Sequence, residues 1–166
     1  RMKEKPDDLE TLNSFMDEEN DYKGTIKVLH FLEFLRDEIG FNIIKKKVKN
    51  PLKGMKIMPY YGCMLVRPRE VAIDDAEEPT IMGDLLKSLG AEVIDNPFKI
   101  ECCGSYHTIE EKKLVSDRAY RITNYAQDRG ADAIMLSCPL CKFNLDIRGK
   151  EAEKIYNNYK QLPVYY

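Results

Sequence analysis

The chain has 166 residues, and 26 Lys and Arg against 28 Asp and Glu leave a formal charge of −2. That length supports one domain with its own core, and the near-neutral charge excludes the basic excess expected of a nonspecific nucleic-acid or membrane-surface binder. No run approaches the length of a membrane span and no secretory signal is read, while an odd count of five cysteines does not suit a secreted disulfide framework, so a reducing cytoplasm is expected.

The first 54 residues read as helical. A short helix is expected from about Asp7, with Leu9, Leu12, Phe15 and Met16 on one face. A longer one is expected from Thr25 to Ile39, where Val28, Phe31, Leu32, Leu35 and Ile39 recur at helical spacing. Gly40 ends it, and Phe41 to Val48 reads as one more helix before Asn50-Pro51. The basic run Lys45 to Lys49 reads as a solvated helix end.

From residue 55 to 166 short strands alternate with helices. Strands are expected at Met55 to Tyr61, Ala91 to Ile94, Asp132 to Ser137 and Leu162 to Tyr166. Helices are expected at Pro79 to Leu89, at Thr108 to Arg129 behind a Thr108/Glu111 capping box, and from Pro139 onward. Met64 to Glu78 fits neither period and reads as a long functional or mobile loop. The alternation predicts an α/β domain: a parallel sheet of about four strands with flanking helices, preceded by the N-terminal helical segment. The chain opens on Arg1 and stops on Pro163-Val-Tyr-Tyr166, so it is expected to be a fragment of a larger polypeptide.

The five cysteines are Cys63, Cys102, Cys103, Cys138 and Cys141. Cys63 follows the first expected strand, Cys102-Cys103-Gly104 follows the second and Cys138 follows the third. In a parallel sheet the carboxyl ends of the strands share one edge, so three distant segments are expected to converge there. Cys138 and Cys141 open a helix, whose dipole and free amides favour thiolates. Vicinal Cys102 and Cys103 suit two sites on one cluster better than a strained mutual disulfide, and Gly104 is expected to let the backbone pass close to a bulky inorganic core. Zinc takes four ligands, as does a cubane iron–sulfur cluster. A fifth thiolate is either spare or marks a larger or more open cluster. Seen alone, Cys138-x2-Cys141 also fits a redox dithiol.

The pattern Cys63-x38-Cys102-Cys103-Gly104-x33-Cys138-x2-Cys141 resembles the CCG, or cysteine-rich, domain family. The flanking text, Pro51-Leu-Lys-Gly-Met-Lys-Ile-Met-Pro-Tyr-Tyr-Gly-Cys63 and Ser137-Cys-Pro-Leu-Cys-Lys-Phe-Asn-Leu-Asp146, looks like the C-terminal half of the heterodisulfide reductase B subunit. The resemblance implies a noncubane [4Fe-4S] cluster held by Cys63, Cys102, Cys103, Cys138 and Cys141, with zinc as the alternative metal. It implies an oxidoreductase subunit that takes part in cleaving the coenzyme M–coenzyme B heterodisulfide of methanogenesis. Its partners would be the A- and C-type subunits and the N-terminal CCG half, without which the fragment is expected to be inactive. The alternatives are an electron-transfer CCG subunit of another dehydrogenase and a zinc-stabilised assembly module. Among the remaining polar residues, His107 is a weak candidate to protonate a leaving thiolate. Arg67 and Arg69 are candidates to receive an anionic substrate tail, or simply solvated. His30 reads as a partly buried neighbour, and Tyr60-Tyr61 as packing around the site.

Overall fold

A computed structural model describes residues 5–166 and divides the chain into two compact units, Arg1–His30 and Phe31–Tyr166. The first four residues of the N-terminal segment lie outside the described residues. In the first unit α1 (Pro6–Asn13) starts on a proline with Asp7 and Asp8 in its first turn, which suits the positive end of the helix dipole. Asn13 then closes the following loop, donating from Nδ2 to Tyr22 O (3.1 Å) and accepting the Tyr22 amide on Oδ1 (2.9 Å).

The helix expected from Thr25 begins only at Phe31. Gly24 turns the chain with φ +64°, and Thr25 to His30 stay irregular. Ile26 is 71% and Val28 89% exposed there, so little apolar burial offsets the cost of nucleating a helix. In the second unit α2 (Phe31–Phe34) widens into a π-helical turn (Leu35–Ile39), and α3 (Phe41–Lys47) follows after Gly40.

The sheet has four parallel strands in the order β2-β1-β3-β4, with β1 Lys56–Tyr60, β2 Glu92–Val93, β3 Ala133–Leu136 and β4 Val164–Tyr165. β1 and β3 are in register from Ile57↔Ala133 to Tyr60↔Leu136, so their carboxyl ends finish level. Pro59 is tolerated in this inner strand because β2 pairs only with Lys56 and Ile57. The chain leaves β1 for β2 on one side and returns past β1 to β3, which places the topological switch between β1 and β3.

The pleat sorts β1 between two cores. Met58 and Tyr60 pack with Ile134, Leu136, Leu145 and the inner stripe of α5 (Lys112–Asp128), namely Ala119, Ile122 and Ala126. Tyr61 turns to the other face with Ile81, Met82 and Leu85 of α4 (Ile81–Ser88) and Leu32 of α2. α6 (Pro139–Phe143), a second π-helical turn (Asn144–Arg148) and α7 (Gly149–Ala152) run on as one helical segment after β3.

The expected capping box at Thr108 does not form. α5 starts at Lys112 with Glu111 at its N-cap, and Thr108 instead accepts Arg148 Nε on its hydroxyl (3.2 Å) and Arg148 Nη2 on its carbonyl (2.6 Å). Burying a guanidinium demands acceptors, and Thr108 with Glu151 supplies them. α4 likewise starts two residues after Pro79, capped by Asp74 Oδ2, which accepts the Thr80 and Ile81 amides at 2.6 Å each.

Tyr159 is buried beside Thr123 and Gln161, and that burial pushes its phenol up to about 12. The unfolded chain loses this proton from about pH 10 while the fold keeps it. The contribution of Tyr159 to stability is therefore full below about pH 10 and falls by about 1.4 kcal/mol per pH unit from there to about pH 12. Tyr159→Phe is expected to remove that share of the slope in urea unfolding, while Tyr61, also pushed up to about 12, and Tyr60, pushed up further, keep theirs.

Candidate functional site

Backbone and side-chain bonds join the loops that leave β1 and β2 before any thiol is reached. Lys99 O accepts both the Tyr61 amide (2.8 Å) and the Gly62 amide (3.0 Å). The Tyr60 hydroxyl donates to Glu101 O at 2.5 Å. Buried Asn96 shapes the second loop, accepting the Phe98 amide on Oδ1 (2.8 Å) and donating to Ile122 O (3.1 Å). Cys63 is thus held against the loop carrying Cys102 and Cys103. The third segment begins with Cys138 at the N-cap of α6, Pro139 at its first position, and Cys141 one turn in.

The long loop after Cys63 is irregular, as expected, but anchored. Leu65 and Val66 are buried, Ile73 N donates to Leu65 O (3.2 Å), and Arg36 Nη1 donates to Ile73 O (2.6 Å).

All five cysteines are free and follow three strands that end at the carboxyl edge of the sheet, near enough to affect one another's protonation, although among the described residues no three ligating side chains already stand in a metal-holding group. Cys103 and Cys141 are the innermost, 1% and 3% exposed, and belong to the core beneath α5. Cys63, Cys102 and Cys138 are half-buried around them. The thiols influence one another's protonation: Cys63 with Cys102, Cys103 with Cys141, and Cys141 with Cys138. Cys102 Sγ accepts the Gly104 amide at 3.3 Å.

The low-pKa thiol is not the one that the helix dipole alone suggests. The neighbouring Cys141, with smaller help from Asn144 and Ser105, holds the Cys103 thiol below its usual range against the cost of burial. The same pairing with Cys103, together with burial, pushes Cys141 up. Burial and the neighbouring Cys102 also push Cys63 up.

Gly104 adopts a left-handed turn at φ +81°, but a Cβ on it would meet Arg118 Cδ at 3.2 Å and Val115 Cγ2 at 3.4 Å. The glycine that fronts the thiols is Gly62, with φ +65°, where a Cβ would lie 3.2 Å from Cys141 Sγ. His107 is exposed on the short turn Ser105–His107, where its amide donates to Gly104 O at 2.9 Å. Arg67 and Arg69 border an open hollow of about 510 Å³ beside Cys63, with Arg67 paired to Glu77 at 3.0 Å. Tyr60 packs below the thiols as expected, whereas Tyr61 reaches away from them to accept the Gly83 amide at 3.1 Å.

Two residues at the site were not singled out by sequence. Arg118 donates to Cys102 O at 3.3 Å from α5. Asn144 is fully buried and donates from Nδ2 to Cys103 O (3.2 Å) and Cys103 Sγ (3.4 Å). Its position three residues beyond Cys141 is the available sequence signal, because i and i+3 share a helix face. Asn144 Oδ1 and Ser137 Oγ are buried without a hydrogen-bond partner, and both flank the cysteine segment.

The sequence profile of the CCG cysteine-rich domain matches residues 57–146, which span all five cysteines and the sheet edge that carries them. The chain belongs to the CCG cysteine-rich domain family. It is 31% identical over 155 residues to the 8-methylmenaquinol:fumarate reductase membrane anchor subunit of Wolinella succinogenes, covering 92% of this chain and 54% of that protein. It is 33% identical over 153 residues to the B subunit of the ferredoxin/F(420)H(2)-dependent CoB-CoM heterodisulfide reductase of Methanosarcina acetivorans, covering 87% of this chain and 49% of the relative. The B subunit of the ferredoxin:CoB-CoM heterodisulfide reductase of Methanosarcina mazei is 30% identical over 151 residues, again 87% and 49%. The chain therefore spans about half the length of these curated relatives. Among its described residues no helix is long and apolar enough to cross a membrane.

Proposed function

We propose that this CCG domain holds an iron–sulfur cluster through Cys63, Cys102, Cys103, Cys138 and Cys141, as part of an oxidoreductase subunit of the heterodisulfide reductase type. The observation that carries the reading is that five free thiols follow three parallel strands whose carboxyl ends share one sheet edge. The donor set is all sulfur, the preference of iron–sulfur centres. The bare backbone of Gly62 leaves room against Cys141 Sγ that any other residue would fill. Zinc and a cubane each take four ligands, so the fifth thiolate supports the noncubane form.

When bound, the cluster would supply electrons and a Lewis-acidic iron for sulfur. The chain's own residues hold the five sulfurs at set depths, leaving Cys63, Cys102 and Cys138 half-buried and screening Cys103 and Cys141 from water. The reaction is reduction of a disulfide by two electrons and two protons to two thiols. Electrons would arrive from partner subunits in the cytoplasm, and a second CCG half would complete the substrate cleft. The Wolinella relative favours a second reading, in which the same domain passes electrons within a different reductase.

Anaerobic purification with iron, sulfide and zinc analysis tests the cofactor. Four irons and four sulfides per chain are expected, and one zinc without sulfide sinks the proposal. Turnover of a mixed disulfide against electron transfer alone, in the assembled complex, separates the two readings.

A further inference from the structure

We propose that Asn144 is a positioning residue that sets the reduction potential of the group held by the thiolates, acting through Cys103; this rests on the cluster reading above. Asn144 begins the π-helical turn after α6, and such turns inside helices are frequent at functional sites. From there its side chain reaches across to the loop that follows β2. One Nδ2 group serves both the carbonyl and the sulfur of Cys103, at 3.2 and 3.4 Å.

The orientation of the amide is set by its surroundings. Turned over, it would place Oδ1 against the Cys103 carbonyl, acceptor against acceptor. In the observed orientation Oδ1 is buried and unpaired. A stranded buried acceptor destabilises a fold, and an apolar side chain of similar size would not carry that penalty. The amide is thus poorly explained as a stabilising device, yet well placed as an N–H donor to a ligand sulfur.

Such donors tune iron–sulfur potentials, because the bond strengthens as negative charge accumulates on sulfur. Arg148, one turn further along, supplies an internal comparison. It ties the same loop to the same helical segment through Thr108 and touches no sulfur.

The test uses the anaerobically purified subunit with its cluster, titrated redox-potentiometrically by EPR. Asn144→Leu is expected to keep its iron and to shift the potential downward, with the reduced state disfavoured about tenfold, which is ~59 mV for a one-electron step. Arg148→Met is expected to lower thermal stability and leave the potential in place. An unchanged potential in Asn144→Leu, or an equal shift in Arg148→Met, overturns the inference. Should Asn144→Leu not assemble, pulsed EPR of wild-type protein labelled with ¹⁵N in the asparagine side chain is expected to show a nitrogen coupling to the cluster, and its absence overturns the inference as well. A wild-type preparation free of iron and sulfide overturns the cluster reading instead.

Discussion

Cys103→Ser is expected to strip the thiol site of iron while leaving the fold standing. Cys103 is the thiol held lowest: its sulfur accepts a hydrogen bond from Asn144, Cys141 neighbours it, and it lies 1% exposed in the core beneath α5. A serine fits the same space, so packing changes little. Its hydroxyl is a hard donor with a far higher pKa than a thiol, and it offers soft iron a poor ligand. Loss of an outer-sphere partner alone costs metal sites 10- to 100-fold, so iron affinity is expected to fall by at least about a hundredfold on loss of a first ligand. Iron and sulfide content and the visible absorption of the anaerobic protein measure it. Retention of the full spectrum would mean a cubane with a spare thiol at Cys103, and would remove the five-thiolate proposal.

Gly62→Val is expected to damage the same site from the backbone side. Its φ of +65° is strained for a β-branched residue, and the new Cβ would stand 3.2 Å from Cys141 Sγ and 3.5 Å from the Tyr60 ring. Tyr60 is fully buried and bonded to Glu101 O, so it offers no room to yield. A cost of about 1–3 kcal/mol from backbone strain is expected, together with displaced Cys141 and lost iron. Gly54→Val supplies the comparison, since Gly54 has φ +81° and nothing within 4 Å of a Cβ. It should lose similar stability and keep its iron. Equal iron loss in both variants would show that Gly62 acts through general loosening and not through the sulfur it faces.

Strand ends and thiols were legible along the chain because each rests on local signals. Glycines after α4 and α5, prolines ahead of α4 and at the start of α6, and short apolar runs between them mark the parallel βα units and place a cysteine after three strands. Where the reading missed, a distant partner had intervened. Thr108 carries a capping sequence, yet a buried Arg148 forty residues on claims it. Thr25 to His30 carry a helical stripe, yet no face of that stretch is buried deeply enough to hold a helix. Gly104 stands beside two cysteines in sequence, yet its bare side faces α5.

By itself the sequence determined the α/β class and the arrival of five thiols at one edge, since periodicity and turn residues act within a few residues of themselves. Only the tertiary structure decided the order β2-β1-β3-β4, the depth of Cys103 and Cys141, and the roles of Gly62 and Asn144. Those depend on which surfaces meet once the sheet is packed on both faces, and a contact across 41 residues, such as Asn144 to Cys103, leaves no local periodic trace in the chain.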